Sequence, residues 1–253
     1  MILISVLLFI GLSIFLVWYL LSKDRGEREP ASGLWAALGF GLLAAVIASF
    51  AEAGFVKDDT LKGGLSGAMV LAALGIGIVE EAAKFVPLAL FIYKKRYFNE
   101  NTDGILYFAL AGIGLGLPEN ILYTLGFGPK AGILRLIMTP FFHAATVAIP
   151  GYYLARNKVN RRPFKYVIFA LLGVMLLHAV YDFGLASGIS LLVLMSFVVT
   201  IGLSVALFVL ATVAKREDQE VGLSVVGTNT YCRSCAYPNP KHKLYCEKCG
   251  KRA

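Results

Sequence analysis

Carboxylates and imidazoles occur in this sequence inside stretches that are otherwise apolar. The polar side chains of these stretches are Glu80, Glu81, Lys84, Glu119, Asn120, His143, His178 and Asp182. Carboxylates and imidazoles are the groups that transfer protons and bind metal ions in proteins. Because an ionisable group at the centre of a membrane helix costs about 2.5 to 3.5 kcal/mol on insertion scales, such groups usually face a protein interior or a water-filled cavity. We therefore expect them to form a buried polar site.

The depth of these residues along their apolar runs supports one common site. Counted from the basic end of each run at about 1.5 Å per residue, Glu80, Glu119, His143 and His178 all lie about 20 to 24 Å along a helix. Asp182 follows His178 by one helical turn and shares its face, so it is placed to accept from the imidazole and fix its tautomer. The sequence predicts that these side chains meet near the middle of a bilayer.

The elements that must position them are membrane helices. With 58% hydrophobic and only 16% charged residues, the composition lies outside the soluble range. About 20 apolar residues cross a hydrocarbon core of about 30 Å. We expect an all-α polytopic membrane protein with about seven transmembrane helices, at 1–21, 33–55, 65–93, 104–125, 131–155, 164–186 and 189–214. The first run has no basic segment or small-x-small site before SKDRGEREP, so we interpret it as a span rather than a cleaved leader.

The distribution of lysine and arginine predicts the orientation. The connections after spans one, three and five, together with the segment after span seven, hold thirteen of these residues. The opposite side holds four, which are Lys57, Lys62, Lys130 and Arg135. The positive-inside rule therefore places the N-terminus outside and the C-terminus in the cytoplasm, with the plasma membrane as the expected location. Glu52, Asp58 and Asp59 fall near the outer boundary, where we expect them to be solvated.

The C-terminal tail predicts a second, metal-bound domain. Cys232, Cys235, Cys246 and Cys249 form two C-x2-C pairs separated by ten residues. Four such thiolates close a tetrahedral structural Zn²⁺ site, and a cytoplasmic location argues against disulfides. We divide the chain into a transmembrane domain at 1–214 with its core at 65–186, a linker at 215–230 and a zinc ribbon at 231–253. The tail is basic, but we expect contact with solvent or lipid headgroups, or with a cytoplasmic partner, rather than with nucleic acid.

Small residues and prolines near the polar positions favour close helix packing. Gly112, Gly114 and Gly116 would let span four approach a neighbour closely. Pro118 frees backbone groups beside Glu119, and Pro87 is placed to kink span three below its carboxylates.

Four motifs in order resemble the PrsW family of intramembrane proteases, which is related to the CAAX-prenyl protease and Abi group. The motifs are EEAAK at 80–84, DGI at 103–105 with AGIGLGLPEN at 111–120, FFHAATVAIPGY at 141–152 and HAVYD at 178–182. The resemblance covers spans three to six and excludes the ribbon. It implies hydrolysis of peptide bonds in membrane-associated proteins, with catalytic residues at Glu80, Glu81, Glu119, His143 and His178.

The sequence is compatible with two mechanisms. In one, His143, His178 and a carboxylate, most plausibly Glu119, hold a catalytic Zn²⁺, while Glu80 or Glu81 takes a proton from the attacking water. In the other, no metal is used. Glu80 then activates water directly, and the two histidines and Asn120 stabilise the oxyanion.

Supporting roles follow for Lys84 and Asp182. Lys84, one turn from Glu80, would stabilise the carboxylate form of that base, and Asp182 would orient His178.

Two other functions compete with the protease. A proton-coupled transporter would also place carboxylates and histidines at the bilayer midplane, but it predicts an inverted repeat that the sequence lacks. A noncatalytic membrane scaffold would recruit a cytoplasmic partner through the zinc ribbon. It predicts that Cys232 matters and Glu80 does not.

Overall fold

The structure, a computed structural model, describes residues 2–24, 29–56, 65–221, 230–231, 238–239 and 249–250. In these ranges the chain forms seven α-helices and a two-stranded ribbon of strands. The helices are α1 Ile2–Lys23, α2 Ala31–Ala53, α3 Gly67–Phe91, α4 Asn101–Phe127, α5 Pro129–Asn160, α6 Lys165–Ser187 and α7 Ser190–Val221. The strands are β1 Thr230–Tyr231 and β2 Pro238–Asn239, which pair antiparallel.

Each predicted span corresponds to one helix, so the all-α prediction is confirmed. Within the described ranges, five helices are long and apolar enough to cross a membrane, namely α1, α2, α4, α6 and α7. The other two carry the charges that lower the hydropathy of a span. In α3 these charges include Glu80, Glu81 and Lys84, and all three are buried by neighbouring helices.

Helices α4 and α5 pack against each other along their length and form the centre of the bundle. Helix α2 covers α4, α3 packs on α6, and α1 and α7 contact α5. Most of the large apolar side chains that remain exposed lie on α1, α2, α3, α6 and α7, as expected for a surface that faces lipid, and the last turns of α4 add a few more. Helices α3 and α4 continue through Pro87 and Pro118.

The glycines of α4 make this packing possible, as the sequence predicts. A Cβ at Gly112 would lie 2.1 Å from the backbone oxygen of His143 on α5. A Cβ at Gly114 would lie 2.4 Å from the backbone oxygen of Leu38 on α2. No side chain fits at such distances, so α4 contacts two neighbours through its own backbone.

The basic end of the bundle, where α7 ends and α4 begins, is tied together by a carboxylate. Asp218 is fully buried and accepts hydrogen bonds from the backbone N–H groups of Asn101 and Thr102 at 2.8 and 2.9 Å. These donors belong to the first turn of α4, which has no intrahelical acceptor for them. The stretch 215–221, which we assigned to the linker, forms the end of α7, and Asp218 holds it against α4.

Most of the predicted zinc ribbon lies outside the described residues, including Cys232, Cys235 and Cys246. The strands β1 and β2 flank the first cysteine pair, with Thr230 paired to Asn239. Cys249 lies at the surface.

Candidate active site

The adjacent carboxylates of α3 reach their partners because α3 lies close to α6. A Cβ at Gly77 would lie 2.6 Å from the backbone oxygen of Met175 on α6, so only glycine allows this approach. One turn further, Glu81 Oε1 lies 2.6 Å from His178 Nδ1 on α6 and 2.5 Å from Lys84 Nζ. Glu81 is thus fully buried between two hydrogen-bond donors.

The close contact of α4 with α5 places a second carboxylate against the other histidine. A Cβ at Gly116 would lie 3.0 Å from Cδ2 of His143, so the imidazole packs directly on the glycine. Glu119, nearly one turn later on α4, brings Oε2 to 2.7 Å from His143 Nε2. Each histidine therefore contacts one carboxylate supplied by a neighbouring helix.

These contacts favour one tautomer of each imidazole. A carboxylate against His143 Nε2 and another against His178 Nδ1 favour N–H at those two atoms. The lone pairs are then on His143 Nδ1 and His178 Nε2. Both of these nitrogens lie 3.7 Å from the same atom, Glu80 Oε2.

Glu80 is the centre of this arrangement. Its Oε2 is buried and has no hydrogen-bond partner among the residues that the structure describes, and Lys84 Nζ lies 3.6 Å away. Such an oxygen needs a partner, because a buried polar atom without one costs about 1 to 3 kcal/mol. The ligand atoms of Glu80, His143 and His178 all lie within 4.8 Å of one another, the one such group in the described ranges.

The three residues fit a divalent metal by their chemistry. Two imidazoles with free lone pairs and one carboxylate form a donor set that suits zinc at a catalytic site, where one coordination position stays open. One contact opposes this: Lys84 Nζ lies 3.2 Å from His143 Nδ1 and so competes for its lone pair. Lys84 also has a shorter contact with Glu81, which can hold the ammonium group of Lys84 if His143 Nδ1 binds a metal.

The structure brings most of the predicted site residues together, including the expected pairs of Lys84 with Glu80 and Asp182 with His178, but other partners differ from those expected. Glu119, which we expected as a metal ligand, contacts the nitrogen of His143 that faces away from Glu80, and it pairs with Arg135. Glu81, expected as a possible base, is enclosed. Asp182 Oδ2 lies 3.4 Å from His178 Nε2, whereas Glu81 contacts the other ring nitrogen, Nδ1.

Asn120 is buried beside Glu119, and its amide oxygen has no hydrogen-bond partner in the described part of the chain. None of the contacts above involves it. Its expected role in stabilising an oxyanion therefore stays a prediction.

Two members of the site are partly uncovered. The side chains of Glu119 and Asp182 are 21% and 22% exposed, whereas those of Glu81 and Lys84 are 0% exposed. The site therefore has a closed side formed by α3 and an open side bordered by α4 and α6. Phe142 closes the remaining space, since its ring lies edge-on to His178 at 5.0 Å and stacks on Tyr181 at 4.1 Å.

Sequence reasoning missed two residues near this site. Arg135, which we counted as an outer basic residue, is buried and pairs with Glu119. Its position two turns before His143 on α5 is the signal that would have found it. Glu52, which we expected to be solvated, is half-buried near the end of α2 and interacts electrostatically with Asp182 and Glu119. Apolar periodicity carried no sign of this, because Glu52 approaches the site from another helix.

Comparison with known proteins identifies the family to which this chain is similar. Residues 29–213 match a sequence profile described as PrsW family intramembrane metalloprotease. The chain is 30% identical over 175 residues to Protease PrsW of Bacillus subtilis (strain 168), an alignment that covers 68% of this chain and 78% of that protein. It is 31% identical over 173 residues to Protease PrsW of Geobacillus kaustophilus (strain HTA426), covering 68% and 74% of the two chains. No solved structure matches this chain.

Proposed function

Because this chain belongs to the PrsW family of intramembrane metalloproteases, it is a membrane-embedded protease, and we propose that Glu80, His143 and His178 form its reactive centre. The substrates are membrane-associated proteins, whose peptide bonds it hydrolyses. The observation that supports this centre is the convergence of two imidazole lone pairs on one buried carboxylate oxygen.

We infer that the centre holds a divalent metal, with Zn²⁺ the ion that its donor set suits. Glu80 Oε2, His143 Nδ1 and His178 Nε2 would hold it. When bound, such an ion polarises a substrate carbonyl and lowers the pKa of water. Glu81 and Glu119 then orient the two histidines from behind, since ligating imidazoles usually donate their second N–H to a carboxylate.

Asp182 is the carboxylate that remains to move a proton. Its Oδ2 is shielded but accepts no hydrogen bond from any described residue, and its side chain borders the open side of the site. Glu119 borders the same side, but the guanidinium of Arg135 pairs with its Oε1, and its Oε2 lies 2.7 Å from His143 Nε2. We therefore assign Asp182 as the base that takes the proton from the attacking water and delivers it to the leaving amine.

The remaining assignments are proposals from the charge pattern and the cysteine spacing. We place the protein in the plasma membrane, with the N-terminus outside and the zinc ribbon at 231–253 in the cytoplasm. The ribbon, beyond the family match at 29–213, holds a structural Zn²⁺ and recruits a cytoplasmic partner or the cytoplasmic tail of a substrate.

The direct test identifies cleavage without knowing the substrate. Membranes from cells that express the wild type, His178→Gln or Asp182→Asn are treated with a reagent that labels new α-amino groups, and the labelled peptides are sequenced. We expect new N-termini within or beside transmembrane segments in the wild type and their loss in both variants, with the amount of inserted protein unchanged. Equal sets of N-termini in all three samples would contradict the proposed centre.

A further inference from the structure

Arg135 is a buried cation without a role in the proposed reaction. It is 8% exposed, and its guanidinium lies over the ring of Tyr123 with 3.8 Å from Cζ to the ring centroid. Its NH2 group donates to Glu119 Oε1. A guanidinium in a membrane helix is costly and is retained where it has a partner and a task.

The contacts form a chain from α5 to α4 and back to α5. Arg135 holds Glu119 Oε1, and Glu119 Oε2 lies 2.7 Å from His143 Nε2. Tyr123 lies about one helical turn after Glu119 on α4, so the same helix supplies the aromatic ring and the carboxylate. Arg135 thereby holds one oxygen of Glu119 while the other lies against the imidazole, which restricts the orientation of the carboxylate.

Without Arg135 this orientation would lose its support. Glu119 is the partly uncovered carboxylate of α4, and the charges nearby include the acidic Asp182. A carboxylate that has lost its cation turns towards the open side, where water can solvate it. His143 Nε2 would then lose the contact that keeps its proton, and Nδ1 would no longer be held as the lone-pair nitrogen facing Glu80.

We propose that Arg135 is a positioning residue of the active site, which fixes the tautomer and direction of His143 through Glu119. This inference rests on the proposed reactive centre and names a residue outside it. The stacking on Tyr123 and the fork of N–H donors make arginine the required residue, because lysine offers charge without planar geometry.

The chain provides a matched control on the same helix. Arg156, near the other end of α5, also lies over a tyrosine ring, that of Tyr152 at 5.3 Å, and also pairs with a glutamate, Glu217 at 3.0 Å. Substituting Arg156 therefore removes a comparable ion pair and ring contact far from His143. Any effect common to both arginines measures folding rather than positioning.

The experiment uses the full-length chain with Arg135→Lys, Arg135→Gln and Arg156→Gln. The chain has 3 histidines, so selective ¹⁵N labelling gives few imidazole signals, and His143→Gln identifies those of His143. We expect the His143 signals of the wild type to report a proton on Nε2. In both Arg135 variants they should shift towards a mixture of tautomers, whereas Arg156→Gln keeps the wild-type pattern.

Two further readouts follow the same variants. Zinc affinity and the yield of new N-termini should each fall by about 10- to 100-fold in Arg135→Lys and Arg135→Gln, as for other residues that orient metal ligands. Arg156→Gln should retain both. An unchanged His143 spectrum in well-folded Arg135→Lys would overturn the positioning role. If wild type and His178→Gln give the same N-termini while the spectrum shifts as expected, the proposed reactive centre fails and the Arg135 contact stands.

Discussion

Two glutamates adjacent in sequence have different surroundings at the residue scale. Consecutive residues of a helix point about 100° apart, so Glu80 and Glu81 meet their shared neighbours Lys84 and His178 at different distances. Glu81 Oε1 has two close contacts, to Lys84 and His178, whereas Glu80 Oε2 faces two lone-pair nitrogens and has no donor among the described residues. We therefore propose that Glu80 takes part in the chemistry and that Glu81 orients His178.

A pair of substitutions tests this division. Glu80→Gln should reduce cleavage by at least about 100-fold, because it removes the charge at the centre of the site. Glu81→Gln should reduce it by about 10- to 100-fold, since a glutamine still fits and partly orients His178. The measurement is the yield of new N-termini at equal amounts of inserted protein. A larger loss in Glu81→Gln than in Glu80→Gln would reverse the assignment.

At the scale of elements, close helix contacts set the geometry of the site. The backbone of α4 at Gly112 touches the carbonyl oxygen of the residue that carries a site imidazole, His143. Any separation of α4 from α5 would therefore move Glu119 away from His143 Nε2.

A single methyl group tests this contact. Gly112→Ala should lower the free energy of unfolding by about 1 to 3 kcal/mol, because the added Cβ overlaps the α5 backbone. Gly126→Ala on the same helix is the control, since no described atom lies within 4 Å of a Cβ there. Thermal unfolding in detergent measures both. Equal effects in the two variants would contradict the close packing of α4 on α5.

We expect the start of α4 to make stability depend on pH. Glu100 lies just before the helix, and burial, reinforced by the nearby charges of Asp218, Asp24 and Glu29, raises its pKa from 4.5 to about 9. The folded chain then binds a proton that the unfolded chain releases above its lower pKa. Stability contributed by this proton is present below pH 4.5 and is lost as the pH rises towards about 9.

Glu100→Gln should flatten this decline, because its amide does not titrate and its oxygen can still cap the helix. Thermal unfolding of the wild type and the variant at several pH values between 5 and 9 provides the comparison. Parallel curves for the two proteins would show that Glu100 is not responsible.

At the scale of the whole molecule, the distribution of lysine and arginine predicts on which side of the membrane each end of the chain lies. A fluorescent protein fused to the C-terminus should be fluorescent, and an alkaline phosphatase fused there should be inactive, because both follow from a cytoplasmic C-terminus. The same two reporters fused ahead of Ile2 should give the opposite result. An active C-terminal phosphatase would invert the proposed orientation.

Metal content tests the two proposed zinc sites separately. The wild-type chain should contain about two zinc ions, one for the four cysteines and one for the intramembrane triad. The double variant Cys232→Ser, Cys235→Ser should keep about one, and adding His143→Ala should remove it. If the cysteine variant loses all its zinc, the intramembrane site is metal-free as isolated, and water activation by Glu80 becomes the better mechanism.

The sequence by itself determined the helical architecture and most of the polar residues that the bundle brings together. Apolar runs must form helices in lipid, because a backbone without internal hydrogen bonds is too costly there. Polar residues at one depth on four such runs must meet, because lipid offers them no alternative partner. The glycines of α4 likewise indicated a close helix contact before its partners were known.

Only the tertiary structure decided which polar atoms touch. Depth along a helix does not specify rotation about its axis, so the sequence could not show that Glu80 Oε2 lies 3.7 Å from both imidazoles whereas Glu119 contacts His143. Arg135 was counted with the outer basic residues, because its partner Glu119 comes from another helix and such a contact has no sequence period. Likewise Asp218 joins α7 to α4, residues far apart in the chain, and so extends a helix where composition indicated a linker. The packing of helices sets these pairings, since it fixes the direction in which each side chain points.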